Sequence, residues 1–80
     1  MKEDIFAVIR PMIAKRLRCS EERIVLEADF RKDLGADSID LVELVMTIEN
    51  HYDVEFSDET IASIFTVGDA VDYLVTVVSA

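Results

Sequence analysis

Only a few side chains in this 80-residue sequence could do chemistry. They are one serine in an acidic stretch (Ser38), a single histidine (His51), a single cysteine (Cys19), and the aspartates Asp29, Asp33, Asp37 and Asp40. Three chemistries can be set against them. A serine nucleophile would need a base, and only His51 is a natural candidate. The spacing from Ser38 to His51 on one helix corresponds to roughly 20 Å at 1.5 Å per residue, so no proton passes directly between them. That hydrolase reading fails. A calcium loop beginning at Asp29 would place the four aspartates at positions one, five, nine and twelve. It would also put Arg31 at position three, Leu34 where glycine is needed, and Asp40 where glutamate is usual. No metal centre is expected. Cys19 has no second cysteine to pair with, which fits a reducing cytosol, and is read as a small apolar filler. The remaining chemistry is an exposed hydroxyl at a helix start.

The elements around Ser38 favour that last reading. Gly35 can supply a tight turn, and from Ile39 to Tyr52 the apolar spacing is helical. Ser38 therefore sits in a first turn whose N–H groups lack intrahelical partners and whose dipole end is positive, a place that accepts phosphate. The same Asp37-Ser38 pair equally fits a plain N-cap. On a helical wheel Leu41, Leu44, Val45, Ile48 and Tyr52 share an arc of about 100°, the core stripe. Ile39, Val42 and Met46 fall on the opposite side among Asp40, Glu43, Glu49 and Asn50. An apolar strip with a carboxylate rim has the composition of a partner surface, although Val42 and Met46 would also serve as additional core.

With those residues in view, the sequence resembles the acyl carrier protein family. The resemblance is carried by Asp33-Leu34-Gly35-Ala36-Asp37-Ser38-Ile39-Asp40, with Ile39 where leucine is usual. It continues through Val42 to Met46, Ser57-Asp58-Glu59, Thr66-Val67 and Asp72-Tyr73. It implies that Ser38 bears a covalent 4′-phosphopantetheine whose thiol carries acyl chains as thioesters. It also implies that Asp37, Ile39, Asp40, Val42, Glu43, Met46 and Glu49 form the surface met by partners. Those partners would be a phosphopantetheinyl transferase and acyl-processing enzymes, engaging through basic patches. Asn50 departs from the family, which commonly has an acid there. Fatty acid synthesis is the expected setting. A polyketide or a peptidyl or aminoacyl carrier, which uses the same modified serine, is the alternative. Such a protein is a substrate of enzymes and not an enzyme.

Composition fits that implication. Seventeen acids against eight bases give a net charge of −9, and no base follows Glu59. Nucleic acid and anionic membranes should be repelled, while basic protein surfaces are attracted in a salt-dependent way. No apolar run is long enough to span a membrane, and the start of the chain lacks the pattern of a signal peptide. A cytoplasmic monomer is expected. The length suits one domain, residues 1–80.

The expected fold is all-α, a four-helix bundle with a short third helix and a long loop between helices 1 and 2. Helix 1 spans about Glu3 to Leu17, with Ile5, Ile9, Met12, Ile13 and Leu17 on one face and a kink at Pro11. Lys15, Arg16 and Arg18 suit the negative end of its dipole. In the connection of residues 19–37, Ser20-Glu21-Glu22 can start one helical turn. Ile24, Leu26, Phe30 and Leu34 read as apolar plugs, and Arg31 and Lys32 as partners for nearby acids. Ser57 caps a third helix over Asp58 to Ser63, presenting Ile61 and Ile64. Thr66 caps the last, with Asp69 an imperfect capping-box partner. Val67, Ala70, Val71, Leu74 and Val78 line its inner face, and Gly68 is a mild weakness in its first turn.

Overall fold

The computed structural model describes residues 1–78. Its named elements are all helical: α1 (Lys2–Leu17), a 3-10 turn (Glu21–Arg23), α2 (Ser38–Tyr52), α3 (Asp58–Ser63) and α4 (Val67–Val78). These are the expected four helices, with the short third one in place. α1 packs against both α2 and α4. The core they share holds Ile5, Ile9 and Ile13 from α1, Leu44, Val45 and Ile48 from α2, and Val67, Ala70, Val71 and Leu74 from α4. Met12, Leu17 and Val78 pack at its edge, partly buried.

Pro11 does not interrupt α1, which runs from Lys2 to Leu17 around it. Pro11 is exposed, and so is Ala7, whose carbonyl loses its donor. The missing bond therefore faces water and costs less than it would in the core. α1 and α2 both end on non-glycine residues in the left-handed conformation, Arg18 (φ 57°) and Asp53 (φ 55°). Each donates its backbone N–H back to the helix, Arg18 to Ala14 and Asp53 to Glu49, which satisfies end carbonyls that would otherwise be orphaned.

The long α1–α2 connection is pinned at both sides. Ile24, Phe30 and Leu34 are buried as expected, joined by Ala28 and Ala36, while Leu26 is only partly buried. Its backbone also bonds across to the α3–α4 corner. Gly68 N–H donates to Leu26 O (2.8 Å), Val67 N–H to Ala28 O (3.0 Å) and Phe30 N–H to Phe65 O (2.9 Å). Asp29 and Thr66 form an isolated antiparallel bridge between them. Arg10 and Arg23 add side-chain bonds to Glu21 O (2.8 Å) and Asp33 O (2.6 Å).

Gly68 keeps the propensity cost expected of it, and a packing reason stands beside that cost. A Cβ there would lie 3.0 Å from the Leu26 carbonyl oxygen. Glycine is what lets α4 start in contact with the connection.

The α3–α4 corner is a reciprocal cap. Asp69 N–H donates to Thr66 Oγ1 (3.1 Å), and Asp69 Oδ2 accepts from Thr66 N–H (3.0 Å) and Phe65 N–H (2.9 Å). Aspartate does here what glutamate does in the usual capping box. Those backbone donors, Phe65 first and then Thr66, hold the Asp69 carboxyl below its ordinary pKa.

Candidate functional site

The approach to Ser38 is built from two successive turns that spend aspartates on backbone donors. In the first, Asp29 Oδ1 accepts from the N–H groups of Arg31 (2.9 Å) and Lys32 (2.8 Å), and Asp33 Oδ2 accepts from Asp29 N–H (2.8 Å). The chain then reverses at Gly35, φ 72°, whose N–H bonds to Arg31 O at 3.2 Å. Ala36 N–H closes back on Phe30 O at 2.8 Å. In the second turn Asp37 is the N-cap of α2, its Oδ1 accepting from Asp40 N–H (2.8 Å). Asp40 Oδ2 returns the bond to Asp37 N–H (3.2 Å).

All four aspartates that mimicked calcium-loop positions are therefore backbone caps. The N-cap is Asp37, so Ser38 is the first helical residue and is not needed to close the helix. Ser38 is exposed. Its Oγ accepts a hydrogen bond from Arg31 Nη2 at 3.2 Å. Arg31 thus reaches the serine, where the sequence led us to expect an acid as its partner.

The two faces of α2 separate as the wheel requires. Leu44, Val45 and Ile48 are buried, and Leu41 and Tyr52 are half-buried. On the other side Ile39, Val42 and Met46 are 67%, 50% and 54% exposed. Val42 and Met46 are therefore not core. The acids of the rim are less free than their positions implied. Glu43 is ion-paired with Arg16 of α1, and Glu49 Oε2 accepts from Phe56 N–H at 2.7 Å, tying α2 to the following link. With Asp37 and Asp40 engaged in the cap, the whole acidic rim has structural partners.

Three features near the site were not legible beforehand. Phe65, at the corner bonded to Phe30, is 62% exposed; it sits between the partly buried Ile64 and Thr66 and has no periodicity to flag it. A small apolar cavity of about 20 Å³ lies beneath α2, lined by Leu41, Leu44, Val45, Ile48, Ile61 and Ile64 with neighbouring aromatics. An open cleft of about 710 Å³ separates the end of α1 from the start of α2, lined by Lys15, Arg16, Arg18, Gly35 and Asp40 among others. Neither could be read from a linear pattern, because each joins different elements.

His51 lies near the far end of the helix that Ser38 begins, against the edge of Tyr52 with ring centroids 4.9 Å apart. The Asp37 and Asp40 carboxylates already accept backbone N–H groups. Ser38 is thus a presented hydroxyl without an assembled nucleophile apparatus. Its surroundings fit a phosphodiester on Oγ. The N–H groups of Ser38 and Ile39 precede the first intrahelical bond, the dipole end is positive, and a guanidinium touches the oxygen.

The family described as "Phosphopantetheine attachment site" matches residues 7–74. Among solved structures, an acyl carrier protein from Enterococcus faecalis is 32% identical, with a TM-score of 0.80 over 95% of this chain and 96% of that one. A candidate acyl carrier protein from Mycobacterium tuberculosis is 28% identical, with a TM-score of 0.84 over 90% and 96% respectively. This chain belongs to the acyl carrier protein family, whose cofactor is a covalently bound 4′-phosphopantetheine. Among the described residues no helix is long and apolar enough to cross a membrane.

Proposed function

We propose that Ser38 is the attachment residue and that the chain carries growing acyl groups in fatty acid synthesis. The observation that supports this most is the exposed Ser38 Oγ on the first residue of α2, outside the cap, within the stretch 33–40. The arm supplies a terminal thiol on which acyl groups ride as thioesters. In loading, Ser38 Oγ attacks the phosphopantetheine phosphorus of coenzyme A and loses its proton. The pyrophosphate P–O bond breaks and adenosine 3′,5′-bisphosphate leaves. With His51 at the other end of α2 and both flanking carboxylates bonded to backbone, the base is the transferase's to supply.

Ile39, Val42 and Met46 form the apolar centre of the docking surface, with Asp37, Asp40, Glu43 and Glu49 as its charged rim. The net charge of −9 steers the basic patches of a transferase and of acyl-processing enzymes toward it. The chain acts as one carrier domain over residues 1–80, monomeric and cytoplasmic. It is a substrate and partner of enzymes, without activity of its own, and binds neither nucleic acid nor membrane.

Intact mass of the protein purified from its own cells reads the cargo directly. Saturated or 3-oxygenated straight-chain acyl masses on the arm are expected. Aminoacyl or branched polyketide masses would overturn the fatty acid assignment and leave the carrier role standing.

A further inference from the structure

We propose that Arg31 holds the phosphodiester of the prosthetic arm against the first turn of α2. The inference rests on Ser38 as the attachment residue. Loading places a new negative charge between Asp37 and Asp40, in a chain already at −9. Both carboxylates are engaged in the capping box, so swinging away from the new charge breaks a cap bond. A positive charge beside the new phosphate eases that repulsion. The helix end contributes part, and Arg31 is placed to contribute the rest, because its Nη2 already lies 3.2 Å from the oxygen that becomes the ester oxygen.

Arg31 is also well anchored for the task. Its N–H is bonded to Asp29 Oδ1 at 2.9 Å, and its carbonyl accepts from Gly35 N–H at 3.2 Å. The preceding residue, Phe30, is buried at 2% exposure. The guanidinium therefore extends from a fixed turn rather than a mobile loop. Its planar fork can span two phosphate oxygens at once, which a lysine ammonium cannot reproduce. A guanidinium on the phosphate directs the first bonds of the arm along the surface near α2. A partner's cation would have to displace it to draw the arm away.

The test uses the full chain, loaded from coenzyme A by a phosphopantetheinyl transferase and checked by mass. Two readouts follow, neither of them carrier activity. The side-chain Nε–Hε resonance of Arg31 should move on loading, while those of Arg10 and Arg23, which bond backbone carbonyls elsewhere, stay in place. The phosphorus resonance of the loaded protein should move in Arg31→Gln toward the position seen in urea-unfolded loaded protein, stopping short of it because the helix end remains. Arg31→Lys should fall between, and roughly half-molar salt should draw the wild type toward Arg31→Gln. If loading succeeds at Ser38 but the Arg31 resonance does not move and the phosphorus resonance is the same in wild type and Arg31→Gln, the role of Arg31 is wrong and the carrier reading stands. If the wild type gains no phosphopantetheine, or Ser38→Ala still gains it, the attachment residue is wrong and the Arg31 assignment falls with it.

Discussion

Replacing Asp69 with alanine tests what holds the corner that joins α3, α4 and the long connection. One Asp69 oxygen accepts from both Phe65 and Thr66 N–H, at 2.9 and 3.0 Å. Removing a helix-capping carboxylate commonly costs 0.5–2 kcal/mol, and a partly buried donor left without a partner costs about 1–3. The Phe65 donor is exposed and turns to water, and Thr66 Oγ1 remains as a cap, so about 2 kcal/mol is the expected loss. An 80-residue domain has roughly 4–12 kcal/mol in total at 0.05–0.15 per residue. At about 4–8 °C per kcal/mol, the melting temperature should fall by roughly 8–16 °C at neutral pH. Asp69→Asn, which keeps an acceptor oxygen but not the charge, should lose about half of that. The pH dependence has a definite sign. The folded-state pKa of Asp69 is depressed by the two backbone donors. Its stabilisation is therefore present above the unfolded value near 4 and is lost as pH falls through the lower folded value. The gap between wild-type and Asp69→Ala melting temperatures should narrow by about half below about pH 4, where the protonated carboxyl keeps an acceptor oxygen as asparagine does. A neutral-pH loss under about 2 °C, or a gap that does not narrow in acid, would refute the role given to this cap.

Gly68→Ala gains about 1 kcal/mol in helix propensity yet places a Cβ 3.0 Å from a carbonyl oxygen that is itself bonded to Gly68 N–H. We expect a lower urea midpoint, and a higher one would show that the contact relaxes freely. Glu43→Lys puts two cations together at Arg16; this exposed site should cost no more than about 1 kcal/mol. Transferase kinetics should slow in the same variant, with a deficit that shrinks as salt rises. Adding Arg16→Glu should restore the melting temperature and leave the kinetic deficit; recovery of both would assign Glu43 to the fold alone. Leu44→Ala, at a position 2% exposed, should cost about 2–5 kcal/mol and impair every partner together. Met46→Ala, by contrast, should melt as the wild type does. The reverse pattern would mean that the faces of α2 are exchanged.

The helices were legible because burial imposes a period. Leu44, Val45 and Ile48 repeat on one side of α2 while Ile39, Val42 and Met46 repeat on the other, and the structure keeps them apart. Ser57 and the short α3 were legible for a local reason, since a cap acts within three residues; its Oγ accepts from Thr60 N–H at 3.1 Å. What could not be read depends on which distant segments meet. Gly68 looks like a flaw until Leu26 is brought beside it. Arg31 looks like a surface base until the turn at Gly35 folds it back onto Ser38. Glu49 belonged to the rim by its wheel position, and only the reversal after Asp53 brings Phe56 N–H to it. The capping box of Asp37 and Asp40 is different, because its three-residue spacing was visible. It was masked by the competing possibility that Ser38 was the cap.

The central claim concerns one oxygen atom, and one measurement reaches it. Apo protein is incubated with coenzyme A and a phosphopantetheinyl transferase, and its intact mass is followed for the wild type and for Ser38→Ala. The wild type should gain a single phosphopantetheine. Ser38→Ala should gain none while melting normally, because Asp37 and Asp40, and not Ser38, close the helix. A phosphopantetheine adduct on a folded Ser38→Ala protein would contradict the claim outright, since the arm would then hang from a different residue.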